Sequence, residues 1–131
     1  MIWIIGELTP LLFDIENDIY KKHGVDFATV THLNGIGLIQ FETFTGFAQT
    51  GCPKRFSWSY YGRLLTIEMP KVLDNNVQIG KALLTKVGRE LAPISGSKSV
   101  DGFYEYVCDQ VENQITKPKI IRDAVANSCQ F

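Results

Sequence analysis

Apolar positions along this chain switch between helical and alternating spacing, and the switches mark its expected elements. The clearest switch lies at 76–94, where a β-strand over 77–84 reads as running straight into a short helix. Thr85 stands at the join, and threonine is a good helix N-cap because its side-chain oxygen accepts a free backbone N–H. On that helix Val87 and Leu91 are expected to turn inward, with Ala92 beside them and Pro93 as the stop. Gly88 costs a helix interior about 1 kcal/mol relative to alanine. It is tolerable there if another backbone packs closely.

Upstream, Thr9 and Pro10 read as the N-cap and first position of a helix ending at Gly24. Leu8, Leu12, Ile15 and Ile19 form its apolar stripe, and Lys21 and Lys22 in its last turn suit the helix dipole. Asp26 caps a second helix carrying Phe27, Val30 and Leu33, which Asn34-Gly35 ends. A strand is expected over 37–44, then a loop over 45–55 broken by Gly46, Gly51 and Pro53. Phe56, Trp58 and Tyr60 alternate with Ser57 and Ser59, the period of a half-buried strand. Gly62 reads as a bulge or a close backbone approach. Leu65, Ile67 and Met69 continue the apolar face, Pro70 stops pairing, and Asp74-Asn75-Asn76 has turn chemistry.

Downstream, 95–98 reads as a linker and Ser99 as an N-cap. Phe103, Val107, Val111 and Ile115, flanked by Tyr104 and Cys108, predict an amphipathic helix of about four turns. Residues 116–118 break it, and a last short helix is expected through Ile121 and Val125. Ile2, Trp3, Ile4 and Ile5 begin so abruptly that they read as the continuation of an upstream element. The chain is thus expected to be the C-terminal part of a longer protein.

Composition narrows the class. The 131 residues fit one domain, with 45% hydrophobic and 21% charged residues. The apolar run 2–5 is too short for a signal-peptide core or a membrane span. Cys52, Cys108 and Cys129 are odd in number and widely spaced, which argues against a disulfide framework and for a reducing, cytoplasmic setting. A net charge of −1 predicts no general attraction to nucleic acid. The charge is uneven, however: residues 51–94 hold seven basic and three acidic side chains, a balance of +4 against −5 elsewhere.

Two motifs carry a resemblance. The segment 84–91 has the form LTxxGxEL, similar to the strand-to-helix junction after the wing in many winged-helix proteins. Leu33-Asn34-Gly35-Ile36-Gly37-Leu38-Ile39 resembles the passage from recognition helix to wing. With 103–107, these stretches look like the C-terminal region of a bacterial domain-of-unknown-function family, over about 26–111. The resemblance implies an α+β, winged-helix-like domain spanning 1–131, with helices packed on a small three-stranded antiparallel sheet. The enlarged 45–55 loop departs from a typical wing. The helix at 26–34 has no Lys or Arg, unlike a helix that reads bases.

Candidate chemistry is sparse. Cys52 with His23 or His32 has no local nucleophile signature. The two histidines lie on different elements without metal-ligand spacing, and Gly35-Ile36-Gly37 precedes a strand instead of a phosphate-binding helix. Asp14 and Asp18, four apart, fit a solvated acidic face. The expectation is therefore no enzyme, no metal and no cofactor. For nucleic acid, Lys54, Arg55, Arg63, Lys81, Lys86 and Arg89 are the candidate contacts, with Phe56, Trp58 and Tyr60 either stacking bases or, the favoured reading, facing the core. The function expected first is a non-catalytic interaction module, docking on its own chain, on a protein partner or on another copy. DNA binding through a basic wing is the alternative, and no membrane partner is expected.

Overall fold

Trp3, fully buried, is the point around which the chain closes. The computed structural model describes residues 1–96, 98–114 and 119–123. Trp3 belongs to β1 (Ile2–Ile4), which pairs antiparallel with β2 (Leu8–Pro10). There follow α1 (Asp18–Lys21), α2 (Phe27–Gly35), β3 (Ile39–Phe41), β4 (Phe47–Cys52), β5 (Arg55–Tyr60), β6 (Arg63–Glu68), β7 (Asn75–Gly80) and β8 (Ala82–Leu84). Helix α3 (Lys86–Leu91) runs into a 3-10 turn (Ala92–Ile94), and α4 (Phe103–Glu112) and β9 (Lys119–Asp123) complete the order.

The main sheet has five antiparallel strands in the order β2-β1-β5-β6-β9. Two shorter ladders, β3 with β8 and β4 with β7, run along the same two chain segments. Residues 39–52 and 75–84 thus form one interrupted ribbon, and the β5–β6 hairpin is inserted between its two sides. Helices and strands are both present, as an α+β domain requires, but the winged-helix-like arrangement on a small three-stranded sheet is overturned. The molecule is strand-rich, and its largest sheet recruits segments expected to be helix or loop.

Local chemistry explains these departures. Over 9–24 only Asp18–Lys21 is helical. The Asp14 carboxylate accepts from Glu16 N–H at 3.0 Å, and the Asn17 side chain caps α1 by accepting from Ile19 N–H at 2.9 Å. Such side chains offer the backbone an alternative to helix. The Tyr20 hydroxyl donates to Leu11 O at 2.5 Å and accepts from Phe13 N–H at 3.0 Å, holding 11–13 out of a helix. Pro10 is accommodated because β2 is an edge strand.

The 45–55 segment contains β4, and its ladder with β7 is irregular, which obscures alternation in the sequence. The expected 77–84 strand divides at Lys81, whose N–H leaves the ladder and donates to Leu12 O at 2.7 Å. Gly80 makes this passage with φ +103°, its α-carbon against the Leu12 backbone where a β-carbon would collide. Tyr61 and Gly62, with φ of 46° and 81°, join β5 to β6 in a two-residue turn, so Gly62 serves a hairpin and not a bulge. Helix α4 starts after Gly102, not at Ser99. The expected terminal helix is instead strand β9 over 119–123, paired with β6, while Ile115, residues 116–118, Val125 and Cys129 lie outside the described residues.

The core is aromatic. Trp3 stacks on Tyr60 and Tyr104 with ring centroids 5.0 and 5.7 Å apart, and meets Trp58 edge-on at 6.3 Å. Phe103, Tyr104, Val107, Cys108 and Val111 of α4 are all buried, as their spacing predicts. Trp58 and Tyr60 are buried and Phe56 is half-buried, so this strand faces the core and does not offer a base-stacking platform.

Candidate functional site

The surface of interest forms where α3 is seated. Thr85 caps the helix, its Oγ1 accepting from Gly88 N–H at 3.1 Å and donating to Gly37 O at 2.6 Å. Thr85 N–H donates to Leu38 O at 3.0 Å. One turn later Gly88 lies against that same carbonyl, so close that a β-carbon would overlap it. The helix therefore enters the fold through its glycine. At about 100° per residue, Val87 and Leu91 swing to one flank of Gly88, and Ile94 follows them on the 3-10 turn.

That flank is in solvent: Val87 is 52%, Leu91 44% and Ile94 79% exposed. The expectation that Val87 and Leu91 point inward is thus reversed. The signal that could have shown it was Gly88 itself, since a close-packed glycine implies that the face around it, and not the bulky residues beside it, is turned inward. A shallow groove of about 290 Å³ lies between Ala92 and Pro93 of the 3-10 turn, Tyr61, and Ile4 and Leu8 of the main sheet. Arg89 fixes the helix to the β1–β2 turn, donating to Leu84 O at 2.9 Å and pairing with Glu7 at 3.1 Å.

A deeper hollow of about 410 Å³ opens between α1, α2 and β8, walled by Leu11, Leu12, Tyr20, Val30, Ile39 and Ala82. His23 stands at its polar edge with Nδ1 2.9 Å from Ile19 O.

The six basic candidates come from four places in the fold: the start of β5, the start of β6, the β7–β8 junction and α3. Arg55 and Arg63 occupy opposite ends of the β5–β6 hairpin, since Arg55 pairs with Glu68 and Arg63 with Tyr60 in the register. Arg55 forms an ion pair with Glu68 at 3.5 Å. Arg63 pairs with Glu105 at 3.1 Å, and its guanidinium lies 3.6 Å from the centre of the Tyr104 ring. The Lys81 ammonium donates to Phe44 O at 3.0 Å, and Arg89 is held as described. Lys54 precedes β5 and Lys86 opens α3, both exposed. Lys86 and Arg89 share α3, Lys54 and Arg55 are adjacent at one end of the hairpin, and Arg63 stands at its other end.

The residues weighed for catalysis are not assembled. Cys52 is buried, its thiol 3.5 Å from Gln49 O, and burial pushes its pKa up, away from the thiolate form. His23 and His32 are both exposed, His32 on α2 and His23 just beyond α1. Among the described residues no group of three or more His, Cys, Asp or Glu side chains could hold a metal ion, and no helix is long and apolar enough to cross a membrane. No family model, curated protein or solved structure matches the chain.

Proposed function

We propose that this domain is a non-catalytic interaction module that docks onto a protein surface through α3 and its 3-10 turn. That surface belongs to a partner, to another copy or to the rest of its own chain. The observation that carries this reading is the exposed stripe Val87, Leu91 and Ile94 on a helix whose interior contact is made by glycine. Apolar residues at i, i+4 and i+7 share one helix face. A strip of this kind is stabilised by removal from water at about 25 cal/mol per Å², and contiguous apolar patches mark interaction sites.

Site-specific photocrosslinking from position 91, in cells that make the protein, tests it. One discrete adduct, identified by mass spectrometry and lost when Val87→Glu and Ile94→Glu are introduced together, is the expected result. Sedimentation of the purified domain over a range of concentrations then separates self-association from a foreign partner. Absence of a discrete adduct, together with monomeric behaviour at all concentrations, would sink the reading.

A further inference from the structure

The hollow between α1, α2 and β8 is apolar to its depth but does not end in apolar surface. Of the polar atoms near it, the Tyr20 hydroxyl is already committed to Leu11 O and Phe13 N–H. The wall residues Leu11, Leu12, Val30, Ile39 and Ala82 are all buried, so the hollow is floored by core side chains. Its volume of about 410 Å³ falls within the range typical of small-molecule sites. At its mouth, His23 and Val100 also line a second, open depression whose other sides are Lys22, Lys98, Ser99 and Asp101. The two spaces thus share these two residues, one apolar and half-open, the other polar with two lysines against one aspartate.

Positive charge beside an apolar slot is complementary to one kind of molecule. We infer that the hollow binds a single-chain amphiphile with an anionic head group, its hydrocarbon tail among Leu11, Val30 and Ile39 and its head between Lys22 and Lys98. With Nδ1 donating to Ile19 O, Nε2 of the neutral ring is an acceptor, so the two lysines and not His23 supply the donors for the head group. An exposed ammonium retains its hydration on meeting a carboxylate or phosphate, so the head supplies orientation and selectivity while the tail supplies most of the affinity. This surface is separate from the α3 stripe, and either can stand without the other.

Titration calorimetry with monomeric decanoate, decanol and decyl phosphate tests the assignment on the whole chain. Both anions are expected to bind saturably at a single site and more tightly than the alcohol. Lys22→Ala with Lys98→Ala should weaken the anions by about fivefold to tenfold and leave decanol unchanged, since only charge-assisted contacts are removed. Leu33→Trp at the rim should block all three, with circular dichroism showing that the fold is kept. The lysine variants alter exposed side chains and remain informative if Leu33→Trp does not fold. Co-sedimentation with anionic vesicles separates a free amphiphile from a membrane surface. No saturable binding of decanoate, equal affinity of the lysine variant and the parent for both anions, or binding to vesicles without binding to the monomers would each overturn the proposal.

Discussion

Gly88 rests on the carbonyl oxygen of Leu38, so the α3 helix backbone touches the segment that precedes β3 without a side chain between them. At an exposed helix position Gly→Ala would gain about 1 kcal/mol from propensity. Here the added methyl meets a backbone oxygen that also accepts Thr85 N–H, so it cannot rotate away. Overpacking of this kind costs about 1–3 kcal/mol, and the clash is expected to win. Gly88→Ala should therefore lower stability in urea denaturation by about 1–3 kcal/mol. Val87→Ala, on the exposed flank, should stay within about 0.5 kcal/mol of the parent. A stabilised Gly88→Ala protein would show that the helix is not seated through its glycine.

The same helix shows how far the sequence could be read. Thr85 as N-cap, the strand-to-helix switch and the close approach at Gly88 are all local properties, and each stands in the structure. Which flank faces the core is not local, because it depends on where Leu38 lies, and Leu38 is brought there by β3 pairing with β8. The buried stripe of α4 was legible because a long amphipathic period is hard to mimic. Strands of three residues such as β1 and β2 carry too little alternation to be recognised, whereas β3 and β8 fall within the strands expected over 37–44 and 77–84. The apolar run Ile2-Trp3-Ile4 forms β1, which lies between β2 and β5 in the main sheet. Of the candidate sites, the basic residues were visible individually, but their ion pairs with Glu7, Glu68 and Glu105 come from pairings distant in sequence or across the hairpin. The amphiphile-sized hollow draws residues from α1, α2, β2 and β8, and no spacing in the chain foretells it.

Gln49 is a second joint of this non-local kind. Its Oε1 accepts from the Trp58 indole N–H at 3.0 Å, and its Nε2 donates to Ile5 O at 2.9 Å. One side chain therefore ties β4 to both β5 and the end of β1. Gln49→Ala leaves an indole N–H and a carbonyl without these partners, and each buried group left unpaired costs about 1–3 kcal/mol. Because Gln49 is itself only half-buried, water recovers part of that loss, and a net destabilisation of about 1–3 kcal/mol is expected. A double-mutant cycle with Trp58→Phe, followed by chemical denaturation, should give a coupling of at least about 0.5 kcal/mol. Strict additivity of the two changes would remove the joint.

Burial gives the fold a defined response to alkali. Tyr20, Tyr60 and Tyr106 all have phenol pKa values raised above the ordinary value, in each case chiefly because burial penalises the phenolate. For Tyr20 and Tyr60, hydrogen bonds from Phe13 N–H and Val100 N–H to the hydroxyl oxygen act in the opposite direction and are overcome. An unfolded tyrosine ionises near pH 10. The folded state therefore keeps protons that the unfolded state releases, and stability falls as pH rises above about 10. Below that point all three groups are neutral in both states and contribute no pH dependence. In an alkaline titration, phenolate absorbance from these three of the five tyrosines should appear only together with loss of the circular dichroism signal. Tyr20→Phe removes one such group, so it should flatten the alkaline fall in stability. It should also destabilise the protein at neutral pH, because Leu11 O and Phe13 N–H lose their partner. Smooth ionisation of all five tyrosines with the native signal intact would contradict the burial of these rings.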